Sequence, residues 1–411
     1  MPQPDAEITR LENAMVKGDL ASTLAAASLD IQLPPRPAYG KNGRPIVLYT
    51  NYFELKGIEA DTVLYRYSVA IQEDNELPRP KKKRLIELLL QTAPFAGLPI
   101  ASDWVQILVT PKNIPFREQK RGSYKLEWYP ADGEALPSPT PDEPDRVKQA
   151  RRRNTYTLLV EAIGTVSVRD LLSDLAQPTS NYPLKLETIQ ALNVIMAHGP
   201  SSERNIATAG GNKFYPFGNH PQVELANLGG GLQAARGYFG SVRTSVNCIL
   251  FNLNVATGAF YRSGPLLDVM TDFTPPPKNA FQHSKLAAFV RKLRFETNYI
   301  PAREKGEKSK KSGKGHSATV RKVHAIGDLS RFGQHAENVK FDELGANGIV
   351  TKVTVKDYFF RKYGIRLAVP QAPLVNYGTL KEPKWIPAEL CTILPGQLAR
   401  RLLQGDQTSR M

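Results

Sequence analysis

Residues 353–365 read VTVKDYFFRKYGI, and this stretch decides the fold because it predicts a short helix that carries tyrosines beside cations. A helix that begins two residues into the stretch places Tyr358 and Lys362 four residues apart on one face. Tyr363 then follows Lys362 around the turn. The spacing predicts that two phenols and an ammonium group lie close together, where they could act as ligands of a phosphate.

The same stretch allows a second interpretation. Phe359 lies four residues before Tyr363, so the rings could form a packed aromatic stripe, with Phe359 and Phe360 in the core. This stretch alone leaves both interpretations open.

The segment before the helix is strongly basic. Residues 303–322 contain eight Lys or Arg and two Glu, a local charge of +6, and residues 303–314 are expected to form a solvated loop. The chain then interleaves cations with rings, at His316, Arg321, Lys322, His324 and Phe341. Rings stack on bases for about 1–3 kcal/mol each, while cations and hydroxyls hold phosphates. This pattern favours binding of single-stranded nucleic acid.

The composition supports a polyanion partner. The chain has 411 residues, 41% of them hydrophobic, which predicts two to four domains with cores of their own. Its 54 Lys and Arg exceed its 39 Asp and Glu, so the net charge is +15. Nucleic acid is the simplest partner for such a surplus, and an acidic membrane surface is the weaker alternative.

Several other classes are disfavoured. Two cysteines cannot form a disulfide framework, and no apolar run reaches the ~18–20 residues of a membrane span. The six histidines form no HExxH or Cys/His zinc pattern, and LGGGLQAARGYFG (228–240) lacks the ending of a P-loop, so a structural turn is expected there. We therefore expect a soluble, cytoplasmic protein without a cofactor, a metal site or a catalytic centre.

Periodicity predicts an α+β chain of several domains. Period-two alternation marks strands at 63–71, 124–128 and 249–255, and further apolar runs suggest strands at 46–49, 104–110 and 155–163. Apolar stripes of helical period lie at 81–91, 186–198 and 285–293, and a short one precedes the prolines at 34–37. The stretch 130–145 is rich in proline and acidic residues, and Pro275–Pro277 is a plausible boundary.

The chain resembles the Argonaute family through most of residues 34–411. RPAYGKNGRPIVLYTNYFEL (36–55) and LYRYSVAI (64–71) resemble the opening of the N domain. Three further stretches resemble the first linker, namely LETIQALNVIMAHGPSS (186–202), LGGGLQAARGYFGSVR (228–243) and LNVATGAFYRSGPLLDVM (253–270). VTVKDYFFRKYGI, PLVNYG (373–378) and WIPAELCTILPGQ (385–397) are similar to a PAZ domain, and GDQTSRM (405–411) to the start of the second linker.

The resemblance implies a domain order and a function. The expected parts are an extension (1–33), a mixed α/β N domain (34–150), a first linker domain (151–275), a PAZ domain with an OB-like, partly open β-barrel (276–395) and the start of a second linker (396–411). The PAZ domain would anchor the 3′ end of a small guide RNA, and the N domain would act on the duplex of guide and target. The chain ends where the MID and PIWI domains of the family would follow, so no cleavage site is expected in it.

The resemblance also transfers a 3′-end pocket, residue by residue. The phosphate-gripping tyrosines and lysine of the family match Tyr358, Lys362 and Tyr363, and the histidine of the preceding strand matches His316. The Arg and Tyr of the family fall on Lys322 and His324, which depart from the pattern, and Arg321 could take the Arg role. Phe341 is the candidate for stacking on the last base, and Val375 for the pocket wall.

Guide-RNA binding in gene silencing is the function that these features favour, with a MID-PIWI lobe as a partner if the native chain continues. A scaffold or competing regulator that captures silencing-complex proteins without loading RNA is the alternative. Enzymatic activity is the third interpretation.

Overall fold

The computed structural model of the protein describes residues 49–56, 59, 61–72, 77–116, 120–129, 145–176, 182–245, 248–299, 323–344, 350–379, 382–400 and 405–409. The chain divides into two compact units, which are described separately. The first unit comprises residues up to 203 together with 210–214 and 238–255, and the second comprises 204–209, 215–237 and 256 onward. The predicted extension 1–33, the first residues of the strand at 46–49, most of the loop at 130–145 and the lysine-rich stretch lie outside the described residues.

The described helices are α1 (Arg79–Leu90), α2 (Asp145–Asn154), α3 (Val168–Ala176), α4 (Lys185–Ser202), α5 (Leu266–Phe273), α6 (Ala280–Val290), α7 (Val355–Tyr363) and α8 (Gly405–Ser409). The described strands are β1 (Tyr52–Glu54), β2 (Val63–Ile71), β3 (Ala101–Ser102), β4 (Ile107–Thr110), β5 (Arg121–Glu127), β6 (Thr155–Ser167), β7 (Ile206–Ala209), β8 (Lys213–Pro216), β9 (Leu225–Gly229), β10 (Leu232–Ser245), β11 (Cys248–Tyr261), β12 (Gly264–Pro265), β13 (Arg294–Thr297), β14 (Val323–Ala325), β15 (Asp328–Leu329), β16 (Lys340–Leu344), β17 (Val350–Thr354), β18 (Leu374–Asn376), β19 (Trp385–Pro387) and β20 (Cys391–Ile393).

The first unit is built on a five-stranded antiparallel sheet in the order β3-β4-β2-β6-β5. In the pairing of β2 with β6, Arg66 lies opposite Gly164 and Tyr67 opposite Ala162, so Ile163 forms a bulge in β6.

Successive side chains of β2 point to opposite faces of the sheet, so Leu64 packs in a core with α3 and α4, while Tyr67 and Val69 pack in a different core with α1. The strand and its predicted apolar face are confirmed for Tyr65, Tyr67, Val69 and Ile71, and only Val63, at the start of the strand, is exposed.

Other elements in this unit begin or end where local side chains dictate. The strand expected at 104–110 starts only at Ile107, because Asp103 Oδ1 accepts the amides of Val105, Gln106 and Ile107 in a tight turn. Helix α2, which the periodicity did not predict, leads directly into β6. The helices expected at 81–91 and 186–198 are confirmed as α1 and α4.

The glycine triplet forms the turn between β9 and β10, as expected. Gly229, Gly230 and Gly231 all have positive φ angles. A Cβ atom on Gly231 would lie 2.6 Å from the Phe289 ring, so the turn requires glycine there.

The second unit contains three small antiparallel sheets, with the strand orders β12-β20-β13-β14, β15-β18-β19 and β16-β17. None of the sheets among the described residues closes into a barrel. Helices α5, α6 and α7 pack with these strands around one apolar core. Helix α6 begins earlier than the stripe at 285–293 predicts, because the Asn279 side chain accepts the Gln282 amide and caps it at Ala280.

The mixed α+β fold with several domains is thus confirmed. The predicted domain boundaries stay predictions. Among the described helices, none has the length and apolar character needed to cross a membrane.

Candidate functional site

Helix α7 is defined at both ends by its own sequence. The Thr354 side chain accepts the Asp357 amide at the N-terminus, and its hydroxyl donates to the Asp357 carboxylate at 2.6 Å. At the other end Gly364 adopts a left-handed conformation, with φ of 70°, and donates its amide to Phe360. The prediction of a helix from about Val355 is therefore confirmed.

The exposed face of α7 joins a tyrosine to a lysine. Lys362 Nζ donates to the Tyr358 hydroxyl at 2.8 Å and lies 5.0 Å from the centre of the Tyr358 ring. The same ammonium lies 5.8 Å from the Tyr363 ring. Because the Tyr358 oxygen accepts from Lys362, its own O–H remains a donor for another group.

The buried face of α7 holds the helix in place. Phe359 is 3% exposed and packs in the core, whereas Phe360 is 48% exposed. The expectation of two core phenylalanines is therefore right for Phe359 and wrong for Phe360. Helical geometry explains this difference, because Phe359 lies four residues after the buried Val355 and Phe360 does not.

Two aromatic side chains from outside the helix complete a cluster around α7. The Tyr299 ring, two residues after β13, lies 5.1 Å from Tyr363 and 5.5 Å from Phe359. Phe341, on β16, meets the Tyr358 ring edge to face at 5.1 Å. The structure thus brings together the predicted site residues Phe341, Tyr358, Lys362 and Tyr363.

Tyr299 was missed by the sequence reasoning, as was Tyr377. Burial raises the pKa of the Tyr299 phenol, and the neighbouring phenol of Tyr363 raises it further. Burial also raises the pKa of Tyr377, with a contribution from Tyr358. These phenols therefore stay protonated at neutral pH and can act as hydrogen-bond donors. The available signal for Tyr377 was its place in PLVNYG, directly after β18.

The remaining predicted residues lie in different places. His324, on β14, packs its ring 4.7 Å from Tyr377 and 5.7 Å from Phe295. Val375, on β18, is fully buried in the core. His316, Arg321 and Lys322 lie outside the described residues. The roles assigned to these five residues stay predictions.

The cluster combines three chemical capabilities. Protonated phenols donate hydrogen bonds to phosphate oxygens, and the Lys362 ammonium adds a positive charge. The half-buried ring of Phe341 offers an aromatic surface for a base. Among the described residues, no group of three or more His, Cys, Asp or Glu is placed to hold a metal ion.

Comparison with known proteins places this site in a family. The model of the N-terminal domain of argonaute matches residues 44–196, that of the Argonaute linker 1 domain matches residues 209–262, and that of the PAZ domain matches residues 316–411. The PAZ match thus includes all of α7.

Two solved structures illustrate the likeness. The Argonaute of Kluyveromyces polysporus, solved with a guide RNA, is 17% identical with a TM-score of 0.56. The match covers 91% of this chain and 41% of that protein, so this chain spans less than half of its length. The PAZ domain of a Drosophila Ago protein, in complex with 3′-end 2′-O-methylated RNA, is 21% identical with a TM-score of 0.24, over 32% of this chain and 99% of that one. With three domain models matched in order across residues 44–411, the chain belongs to the Argonaute family.

Proposed function

We propose that this chain binds a small guide RNA in RNA-mediated gene silencing and holds the 3′ end of the guide against α7. One observation carries the proposal. The Tyr363 ring lies 5.1 Å from Tyr299 and 6.0 Å from Tyr358, and the Lys362 ammonium donates to the Tyr358 hydroxyl. A fully structural aromatic stripe would not need an exposed lysine bonded to one of its hydroxyls.

Three interactions would hold the terminal nucleotides. The Lys362 ammonium attracts the last phosphate, and the hydroxyls of Tyr358 and Tyr363 donate to its oxygens. Phe341 stacks on the last base, next to the Tyr358 ring. Polar groups of the pocket also form hydrogen bonds with the terminal 2′-OH and 3′-OH. Because DNA lacks the 2′-OH, the bond to that hydroxyl distinguishes RNA from DNA.

The family membership supports the wider role. The PAZ match covers the cluster, and the N-domain match covers most of the first unit. We propose that the N domain acts on the duplex of guide and target, that a MID-PIWI lobe and other silencing-complex proteins are partners, and that the chain itself is not catalytic. The proposed location is the cytoplasm.

The preference for a free 3′ end tests the proposal directly. Fluorescence anisotropy should show tighter binding of an RNA duplex with a two-nucleotide 3′ overhang than of a blunt duplex with the same paired sequence. The blunt duplex has the same paired backbone and lacks only the overhanging nucleotides, so the difference in affinity reports on the overhang. Equal affinity for the two duplexes would refute anchoring of the 3′ end and would favour the scaffold alternative.

The salt dependence tests the electrostatic part. If about four to six phosphates are neutralised, log K falls with log salt by roughly 0.7–0.9 per phosphate. A flat dependence between low and physiological ionic strength would contradict backbone contact.

A further inference from the structure

A cleft in the second unit is lined by residues that do not belong to the α7 cluster. It is formed by the C-terminal half of α6, the last residue of α5, the end of β11 and the segment after β20. Its volume is about 490 Å³, within the range of ~300–1,000 Å³ that small-molecule sites occupy. The cleft is therefore large enough for one nucleotide.

One wall of the cleft is aromatic. The rings of Phe273 and Phe289 stack on one another, with centroids 4.0 Å apart and planes inclined by 3°. Tyr261 packs against Phe289 at 5.2 Å and is also part of the lining. A flat wall of this kind suits a ligand that contains a flat ring.

The rest of the lining is cationic, with Lys285, Arg291, Lys292 and Arg400 and no carboxylate. Arg291 Nη2 is paired with Asp328 at 2.8 Å. In the part of the chain that the structure describes, no carboxylate pairs with the other three cations. Like charges held close together repel, and an anion among them would remove that repulsion.

The guanidinium of Arg400 is held at the cleft by the backbone. Its two terminal nitrogens donate to the carbonyls of Arg291 and Lys292, each at 3.3 Å. The preceding residue, Ala399, donates its amide to Ala259 at 2.9 Å and fixes the segment. The partial negative charge at the end of α6 is only about half a unit charge, so it cannot balance three cations.

Lys292 adopts an unfavourable backbone conformation. Its φ angle is 64°, in the left-handed region where glycine is the favoured residue. The Lys292 amide donates to the Ile326 carbonyl at 2.7 Å, which keeps the turn in place. Lys285, seven residues before it on α6, lies 4.4 Å from the Phe281 ring, a weak contact that a phosphate can replace.

We propose that this cleft is a second nucleotide-binding site. The phosphate binds Lys285, Lys292 and Arg400, and the attached base packs against the aromatic wall. The ligand is a phosphate joined to a flat heterocycle, supplied either by single-stranded RNA or by a free mononucleotide. The inference rests on the proposed function in one respect, the choice of RNA as a ligand. Binding at the cleft does not require a free 3′ end.

The test uses two probes that separate these sources. A circular single-stranded RNA has no 3′ end and cannot enter the α7 site, and adenosine monophosphate represents the free nucleotide. The cleft variant is Lys285→Gln with Lys292→Gly, which removes two charges and relieves the backbone at 292. The matched control is Lys112→Gln with Lys125→Gln, which removes two exposed lysines of the first unit.

The cleft variant should bind circular RNA about tenfold more weakly than the control variant does. Its plot of log K against log salt should be shallower by about 0.7, the contribution of the one phosphate that the cleft binds. Titration calorimetry should show that the cleft variant also loses binding of adenosine monophosphate. Loss of the mononucleotide with unchanged circular-RNA binding would support the site and assign it to free nucleotides.

Equal binding by the cleft and control variants, with both probes, would overturn the proposal. The outcome is independent of 3′-end anchoring, because the overhang preference depends on Tyr358 and Tyr363. If the cleft variant retains the preference for a 3′ overhang, the cleft and the α7 cluster act as separate sites. Failure of that preference in the unmodified chain would refute the anchoring proposal and leave the cleft test intact.

Discussion

Helices α1 and α7 both carry lysines beside aromatic residues, but the lysines of α1 are half-buried and Lys362 of α7 is exposed. On α1, Lys81 lies over the rings of Trp128 and Tyr156, and Lys83 donates to the carbonyl of Ser201. These cations stabilise the packing of the first unit. On α7, by contrast, Lys362 is exposed, whereas Lys81 and Lys83 are half-buried.

The comparison shows why composition alone does not identify a binding site. A run of lysines at a helix start, such as KKKR at 81–84, can be used entirely for internal contacts. Arg84, for example, donates to the carbonyl of Tyr129 and to Glu87. What distinguishes α7 is an exposed ammonium beside two phenols of the same helix, with the Tyr299 ring packed against one of them.

The largest effect should come from the buried ring of α7. Phe359→Ala should lower the free energy of unfolding of the second unit by about 3–5 kcal/mol, because the ring packs in the core and against Tyr299 and Tyr363. Urea denaturation measures the change. The matched control is Phe360→Ala, which removes an exposed ring of the same helix and should cost under ~1 kcal/mol. Similar losses in the two variants would mean that α7 is not anchored by Phe359.

Removal of the α7 hydroxyls should have the next largest effect. Tyr358→Phe with Tyr363→Phe should weaken binding of a 3′-overhang RNA by about 1–3 kcal/mol, the usual scale for hydrogen bonds to charged groups. The rings remain, so the melting temperature should change little. Anisotropy and thermal denaturation give the two readouts.

The α1 region provides the control for this experiment. Tyr156→Phe removes a hydroxyl that accepts from Lys81, and it should leave RNA affinity unchanged. If the α7 double variant binds RNA normally, or loses affinity only in step with its melting temperature, the tyrosines of α7 are structural and the comparison fails.

The parts of the fold that the sequence predicted well depend on nearby residues. The start and end of α7 are set by Thr354 and Gly364, both within one residue of the helix, and its buried face follows from the four-residue spacing. The cluster was only partly predicted, because Tyr299 reaches α7 through the pairing of β13 with β14 and β20. The register of distant strands leaves no local signal. The bulge in β6, opposite Arg66 and Tyr67, escaped prediction for the same reason.

A pH effect should distinguish the first unit from the α7 site. Burial lowers the pKa of His198, and the charge of Lys83 lowers it further, against an opposing contribution from the Ser102 backbone. The folded state therefore disfavours the protonated ring, and the unfolded state binds more protons as the pH falls below about 6.5. The free energy of unfolding should therefore be greatest above that pH. It should decrease as the pH falls toward the lowered pKa of His198 in the folded protein.

Thermal denaturation followed by tryptophan fluorescence measures this effect, since the Trp104 ring stacks on His198 at 4.9 Å. The melting temperature of the first unit should be constant above about pH 6.5 and fall as the pH decreases below that value. His198→Asn retains an acceptor for the Ser102 amide and should flatten the dependence. An equally steep dependence in that variant would assign the acid sensitivity to another group.

The smallest effect is expected from the lysine-rich stretch. Residues 304–314 carry five Lys and two Glu, and they lie outside the described residues. Their deletion should weaken RNA binding less than tenfold, because a segment rich in Lys, Ser and Gly loses conformational entropy when it docks, which offsets much of its Coulomb attraction. The salt slope should become shallower, while the preference for a 3′ overhang stays unchanged. If the deletion abolished that preference as completely as the α7 double variant, the basic stretch and not the phenol cluster would be the main anchor of the RNA end.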